Sequence, residues 1–140
     1  ERELAPVKTT WQLKAIAEKH TVPRFANKFL AQVFQALRIE VNDELGVLKT
    51  LLQHSTELLN PGGRLVVISY HSLEDRLVKN YMRDGKFEGE ADKDFYGNKL
   101  VPLKAITKKP ITPTTEENAR ISRARSAKLR IAERTELPIA

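Results

Sequence analysis

A histidine and a hydroxyl, His71 and Ser72, stand where an apolar segment gives way to a charged one. Residues 65–69 before them indicate a buried strand, and Glu74 and Asp75 follow within three positions. Strand-to-helix turns of α/β sheets are where ligands bind, so this turn is a candidate site. A hydrolase pair with one acid as orienting group is disfavoured, because adjacent turn residues rarely face each other and no oxyanion hole is evident. The structural alternative is that Ser72 caps the following helix and the acids lie at its positive end.

A second group comprises Arg38, Asn42 and Glu44. Arg38 and Asn42 are four residues apart and therefore share one face of a predicted helix. Asn42 can donate and accept hydrogen bonds together, which suits recognition of a nucleobase edge. The alternative is a polar surface pair beside the apolar stripe of the helix, and Glu44 fits that alternative best.

A third group is a dense run of cations near the C-terminal end. From residue 101 onward nine basic residues stand against four acidic ones, so this part holds +5 of the net charge of +6. The run comprises Arg120, Arg123, Arg125, Lys128 and Arg130. Arginine binds phosphate through planar bidentate donors, and no aromatic is interleaved, so the run predicts phosphate anchoring without base stacking. The alternative is a solvated basic surface with some cations paired to nearby glutamates.

Helical periodicity positions the second group. A threonine before residues 11–20 is available as the N-cap of a first helix, which Pro23 ends. Apolar residues then recur in steps of three and four, predicting one long amphipathic helix from about Asn27 to Leu59, bent near Gly46. The sequence Asn-Pro-Gly-Gly at residues 60–63 supplies its stop and turn.

The strands position the other two groups. Leu65–Ile68 is apolar on both faces, which indicates a strand covered on both sides, typically a parallel one. The next helix is predicted from Ser72, with Asp75 as a weak capping box; its apolar side comprises Leu73, Leu77 and Tyr81. A polar loop follows over residues 83–99.

Two short strands complete the pattern, Leu103–Thr107 and Ala127–Glu133. In the second, Ala127, Leu129 and Ile131 alternate with Lys128, Arg130 and Ala132, which predicts that the former three form the apolar face. The order helix, strand, helix, strand, strand implies an α/β fold.

Composition narrows the classes of function. The 140 residues suit one domain, and the lack of cysteine with three scattered histidines argues against disulfides and a metal site. No apolar run approaches the roughly 20 residues that cross a bilayer, so we expect a cytoplasmic protein without membrane partners. The chain opens without Met, and we expect it to be a piece of something longer.

Four ordered segments carry a family resemblance: FQALRIEVNDEL at 34–45, LNPGGRLVVISYHSLEDRLVK at 59–79, KKPITPT at 108–114 and RARSAKLRIAER at 123–134. Together they closely resemble bacterial S-adenosylmethionine-dependent methyltransferases that modify a cytosine N4 of small-subunit ribosomal RNA. TTWQL at 9–13 is similar to that family's helical insert. The family commonly has Phe where Tyr70 stands, and residues 84–99 match less well.

The resemblance implies a C-terminal half of a Rossmann-like class I methyltransferase sheet. Residues 1–26 would end the inserted helical domain and residues 27–140 would form the C-terminal part of the methyltransferase domain. The family's glycine-rich turn and ribose-binding acid are missing, so we expect no cofactor-binding residues and no activity in this chain alone. Gly62 and Gly63 more simply turn a helix into a strand.

The resemblance also implies roles. His71 and Ser72 would orient the target cytosine, Arg38 and Asn42 would lie near it, and the basic run would bind the RNA of the small ribosomal subunit. The chain alone is expected to self-associate or to pair with the missing N-terminal half. The rival hypothesis is a free-standing, non-enzymatic basic RNA-binding module; an upstream reading frame with a glycine-rich turn would distinguish the two.

Overall fold

Residues 6–137 are described by a computed structural model. Contacts along the chain divide it into two units, Glu1–Glu44 and Leu45–Ala140. The predicted domain boundary after residue 26 falls inside the first unit and stays a prediction.

The first unit is helical and begins with α1 (Thr10–Glu18). The Thr9 hydroxyl accepts a hydrogen bond from the Gln12 amide at 3.2 Å, and the Gln12 side chain accepts one from the Thr9 amide at 3.1 Å. This reciprocal pair is a capping box and confirms the predicted threonine cap. Pro23 then begins a one-turn 3-10 helix, Pro23–Phe25, which leads into α2 (Ala26–Asn42).

The prediction of one long helix is wrong, because the helix is interrupted at Asp43. There φ is +47°, in the left-handed region, and α3 (Glu44–Leu58) starts with the next residue. Aspartate enters this region more readily than most residues, so it can end a helix where glycine usually does. The apolar residues recur in steps of three and four on both sides of Asp43, so the pattern gives no sign of this break. The bend was predicted at Gly46 because glycine has a low helix propensity. The predicted stop after α3 is confirmed.

The second unit contains a three-stranded antiparallel sheet. Its strands are β1 (Arg64–Ser69), β2 (Leu103–Ala105) and β3 (Lys128–Arg134), in the order β1-β3-β2. All three predicted strands are confirmed within two residues at each end. The fold is therefore mixed α/β, although β1 pairs antiparallel with β3 rather than parallel as expected.

Helix α4 (Ser72–Asp84) and helix α3 supply side chains to a core on one face of this sheet. The fully buried members of the core are Leu52, Val78, Met82, Leu103 and Ala132. Tyr81 is buried as predicted and stacks on Phe87 with ring centroids 4.7 Å apart. Leu73 was assigned to the apolar side of α4 but is 37% exposed.

The faces of two strands differ from prediction. Val66 and Ile68 of β1 are each 54% exposed, so β1 is not covered on both sides within residues 6–137. In β3 the buried residues are Arg130 and Ala132, whereas Leu129 and Ile131 are half-buried. Leu129 and Ile131 do share one face of β3, but this face lies on the same side of the sheet as Val66 and Ile68, away from the core. Arg130 is buried on the core side because it pairs with an acid in α4.

Candidate functional site

The turn between β1 and α4 presents the first predicted site residues. Ser69, the last residue of β1, is buried, Tyr70 is 53% exposed and His71 is half-buried at the N-cap position of α4. The Glu74 carboxylate accepts hydrogen bonds from the backbone amides of Tyr70 and His71, both at 3.2 Å. One side chain in the first helical turn thus fixes the backbone of both residues.

The predicted cap at Ser72 is wrong, and so is the assignment of Asp75 as the capping acid. Ser72 is the first helical residue and is exposed, while Glu74 at the third helical position closes the turn. Both acids do lie in the first turn of α4, where the helix dipole favours negative charge. Asp75 instead faces the sheet.

Asp75 forms a buried ion pair with Arg130 of β3. The Arg130 Nε donates to Asp75 Oδ1 at 2.7 Å and Nη2 donates to Oδ2 at 3.0 Å, with each side chain about one-tenth exposed. Lys128 Nζ lies 3.4 Å from the same carboxylate. The Arg130 hydrogen bonds, with the charge of Lys128, hold the pKa of Asp75 below its ordinary value. Sequence reasoning missed this pair, whose only local signal was an arginine within an apolar alternation.

These contacts fix the His71 backbone from two directions. The Asp75 amide donates to the His71 carbonyl at 2.9 Å, while Glu74 accepts from the His71 amide. The Asp75–Arg130 pair then ties the same helical turn to β3. The arrangement can position a half-buried imidazole, a group that can donate and accept hydrogen bonds, at the end of a core strand.

The second predicted group lies in the first unit. Glu44 accepts from Arg38 Nε at 2.8 Å and Nη2 at 3.0 Å, and from Asn42 Nδ2 at 3.3 Å. Arg38 and Asn42 therefore do share a helix face, and both hold Glu44. They line a cleft of about 600 Å³ whose apolar walls include Leu13 and Phe34. Of the residues predicted to lie near the substrate, Arg38 and Asn42 thus belong to the first unit, and His71 and Ser72 belong to the second.

The cations near the C-terminal end lie on a segment that we call the arginine loop, residues 112–127. Ile111 and Leu129 exchange two backbone hydrogen bonds of 2.9 Å at its base. Within it, Thr114 caps α5 (Thr115–Arg120), and a one-turn 3-10 helix follows at Ser122–Ser126. Ala124 is buried and anchors that turn.

The predicted run of five cations divides into two sets. Lys128 and Arg130 face Asp75, whereas three arginines of the arginine loop are exposed: Arg120, Arg123 and Arg125. A further cation of this region, Arg134, donates to the carbonyls of Thr56, Pro102 and Leu137. Net charge near the C-terminal end therefore overstates the charge available to a ligand, and the exposed arginines are the candidates for binding phosphate.

The turn at Gly62 and Gly63 does not fit a cofactor cradle. Gly62 has φ of +82° and donates to the Arg134 carbonyl at 2.9 Å, while the Arg134 amide donates to Gly63 at 2.8 Å. A side chain at Gly63 would come within 2.9 Å of Leu59 and Asn60. Both glycines thus serve the close connection of α3 to β1, as predicted. Within residues 6–137 no group of three or more acids and histidines could hold a metal, and no helix could span a membrane.

Comparison with known proteins adds a family match. The model of the MraW methylase family matches residues 1–135. Three curated proteins similar to this chain are each named ribosomal RNA small subunit methyltransferase H. The one from Amoebophilus asiaticus is 64% identical over 94% of the chain and 43% of its own length, and that from Flavobacterium johnsoniae is 56% identical over 95% and 44%. The relative from Parabacteroides distasonis is 53% identical over 95% and 44%. The chain spans less than half the length of these relatives.

Proposed function

The chain belongs to the MraW methylase family, and on that basis we propose that it is the C-terminal part of an S-adenosylmethionine-dependent methyltransferase. Its substrate is the N4 amine of a cytosine in small-subunit ribosomal RNA, and its partner is the small ribosomal subunit in the cytoplasm. The observation that carries the proposal is the extent of the family match, which runs through both the β1–α4 turn and the arginine loop.

Positioning is the main task of this chain in the proposed reaction. Transfer of a methyl group to an exocyclic amine needs an acceptor for one proton and accurate placement of the amine. His71 and Ser72 orient the cytosine at the end of β1, where Glu74 and Asp75 hold the backbone. In the first unit, Arg38 and Asn42 serve the substrate as well.

Arg120, Arg123 and Arg125 bind the phosphates of the RNA, because these three arginines are exposed. Lys128 and Arg130 act on the substrate only indirectly, since both face Asp75. Contacts of this kind hold an RNA in register without reading its sequence.

S-adenosylmethionine supplies the methyl group. The turn at Gly62 and Gly63 is filled by its own connection to Leu59 and Arg134, so we assign cofactor binding to the part of the longer relatives that this chain does not span. We accordingly expect residues 1–140 alone to be inactive and to bind the cofactor weakly or not at all.

The exposed face of β1 suggests how the two parts combine. We propose that this sheet is the C-terminal half of a Rossmann-like methyltransferase sheet, with residues 1–26 ending an inserted helical domain and residues 27–140 belonging to the methyltransferase domain. The missing part would cover Val66 and Ile68, each 54% exposed, and would pair with the outer edge of β1. Without that part, the same surface would recruit a second copy of the chain.

A methyl-transfer assay on small ribosomal subunits tests the proposed function, with the full-length protein that contains these residues. His71→Ala should lower kcat by roughly 100-fold, because a misplaced substrate loses most of the advantage of orientation. Affinity for S-adenosylmethionine should stay nearly unchanged. His54→Ala, at an exposed histidine of α3, is the matched control and should leave kcat unchanged. A full-length protein without transfer activity would refute the function, and an unchanged His71→Ala rate would refute the role of that residue.

A further inference from the structure

Two adjacent aromatic side chains project from the loop between α4 and β2. Phe95 is 99% exposed and Tyr96 is 86% exposed, and their rings meet edge to face with centroids 5.7 Å apart. A side chain in full contact with water adds nothing to the core, and hydration of a phenyl ring is unfavourable. A contribution to the stability of the fold therefore does not account for an aromatic residue at either position.

The backbone beneath these rings is an ordered turn, which we call the aromatic tip, residues 94–98. The Asp94 carboxylate accepts from the Tyr96 amide at 2.9 Å, and from the Asn98 amide and side chain at 2.8 and 2.9 Å. Gly97 has φ of +84° and donates to the Asp94 carbonyl at 3.0 Å. The turn thus depends on Asp94, Gly97 and Asn98, while the side chains of Phe95 and Tyr96 take no part in these hydrogen bonds.

The base of the aromatic tip is fastened to the end of α4. Lys99 Nζ lies 2.7 Å from Asp84 Oδ1, and the Asp84 side chain is only 5% exposed. Lys86 pairs with Asp92 at 2.7 Å, and the Leu100 amide donates to the Asp92 carbonyl at 2.7 Å. The two rings are therefore held outward by a fixed support, which lowers the entropy lost when they bind something flat.

We propose that the aromatic tip is a stacking platform for unpaired bases of the RNA, with Phe95 and Tyr96 as the stacking rings. This inference rests on the proposed function, since ribosomal RNA is the substrate. Single-stranded RNA is bound through unstacked bases laid on aromatic side chains, and a base needs only one open ring face. Two rings on a narrow turn offer enough surface for one or two bases. A stable protein interface, by contrast, buries about 800 Å² of accessible surface on each partner.

The segment that contains the aromatic tip differs in charge from the arginine loop. Residues 84–99 contain five acids and three lysines, and those lysines contact Asp84, Asp92 and Glu90. Such a segment does not attract phosphate. Stacking needs no net charge, so the aromatic tip binds bases while the exposed arginines bind the backbone, and the two contributions differ in their dependence on salt.

The test measures binding of the full-length protein to a protein-free fragment of small-subunit ribosomal RNA over a series of salt concentrations. Phe95→Ala and Tyr96→Ala should each weaken binding by roughly tenfold, the typical effect of losing one stacked base. The slope of log affinity against log salt should not change. Phe95→Trp should retain affinity and Phe95→Leu should not, because leucine keeps apolar area but offers no ring face.

Three results would overturn the proposal. They are unchanged binding of both alanine variants, a weakened interaction seen only with whole ribosomal subunits, and full affinity of Phe95→Leu. The second would identify a ribosomal protein as the partner, and the third a simple apolar contact. Methyl transfer by the unmodified protein is measured in parallel: its absence would refute the proposed function, whereas the stacking result depends only on binding to RNA.

Discussion

The β1–α4 turn and the arginine loop carry the two proposed tasks of the second unit, and they are built in opposite ways. At the turn, charged side chains are directed inward: Glu74 binds backbone amides, and Asp75 is buried against Arg130. In the arginine loop, the backbone is anchored at its base and at Ala124, while its arginines lie in solvent.

This difference separates two uses of the same residue types. Buried charges define a geometry, because each is held by several short hydrogen bonds and is costly to leave without its partner. Exposed charges define an electrostatic potential, which changes little when one side chain rotates. Substitutions at the turn should therefore change stability and turnover, whereas those in the loop should change affinity and its dependence on salt.

The largest effect is expected at Asp75. Asp75→Asn keeps the shape of the side chain but leaves the buried Arg130 charge without its counterion, which should lower the free energy of unfolding by about 3 kcal/mol. Urea denaturation of the full-length protein measures this change. Asp92→Asn is the matched control: Asp92 pairs with Lys86 at the surface, and its loss should cost about 0.5 kcal/mol or less. Equal effects at both positions would remove the distinction between the two kinds of charge.

Protonation of Asp75 in acid should weaken the Asp75–Arg130 pair gradually, whereas the substitution removes it at once. The Arg130 hydrogen bonds keep the pKa of Asp75 below 3.8 in the folded protein, so the carboxylate binds its proton more readily when unfolded. The stabilising contribution is therefore complete above about pH 5 and is lost as the pH falls through the folded pKa, by at most about 1.4 kcal/mol per pH unit. Denaturation curves at several acidic pH values should show a flatter pH dependence for Asp75→Asn than for the unmodified protein; parallel curves would contradict this linkage.

In the arginine loop, Arg123→Ala and Arg125→Ala should weaken RNA binding to a similar extent for all sequences. Each lost phosphate contact should reduce the log–log salt slope by roughly 0.7 to 0.9, without change in protein stability. Arg64→Ala is the control, because Arg64 is an exposed arginine outside the loop and pairs with Glu133. A slope that stays at the unmodified value in both loop variants would exclude phosphate anchoring.

The smallest effect concerns β1, whose end carries the turn. Residues 1–140 alone should self-associate through the exposed side chains of Val66 and Ile68, and Val66→Lys should reduce this association. Sedimentation over a range of concentrations measures it. A monomer at all concentrations, with sharp cooperative melting, would show that the sheet is complete without another part.

Local patterns predicted the elements whose causes are local. The capping box of Thr9 and Gln12, the glycine turn after α3 and the three strands all follow from residues within a few positions of each other. The capping residue of α4 was misassigned by one position, because histidine is an uncommon N-cap and the serine beside it is a common one.

Long-range partners could not be predicted in the same way. Asp75 and Arg130 are separated by 55 positions, and their pairing buries a charged residue on the core side of β3. For the same reason, counting cations placed Lys128 and Arg130 in the phosphate-binding run, although both lie against Asp75. The roles of His71, Ser72, Arg38 and Asn42 stay predictions.

The two backbone hydrogen bonds between Ile111 and Leu129 close the arginine loop at its base and so separate its length from the structure of the sheet. The entropy lost in closing a flexible loop grows only logarithmically with length, by about 0.6 kcal/mol for each doubling. Changes in the length of this segment that keep the buried Ala124 should therefore alter the stability of the sheet only slightly. The exposed part of this segment can therefore vary in length and sequence while the turn that holds His71 keeps its shape.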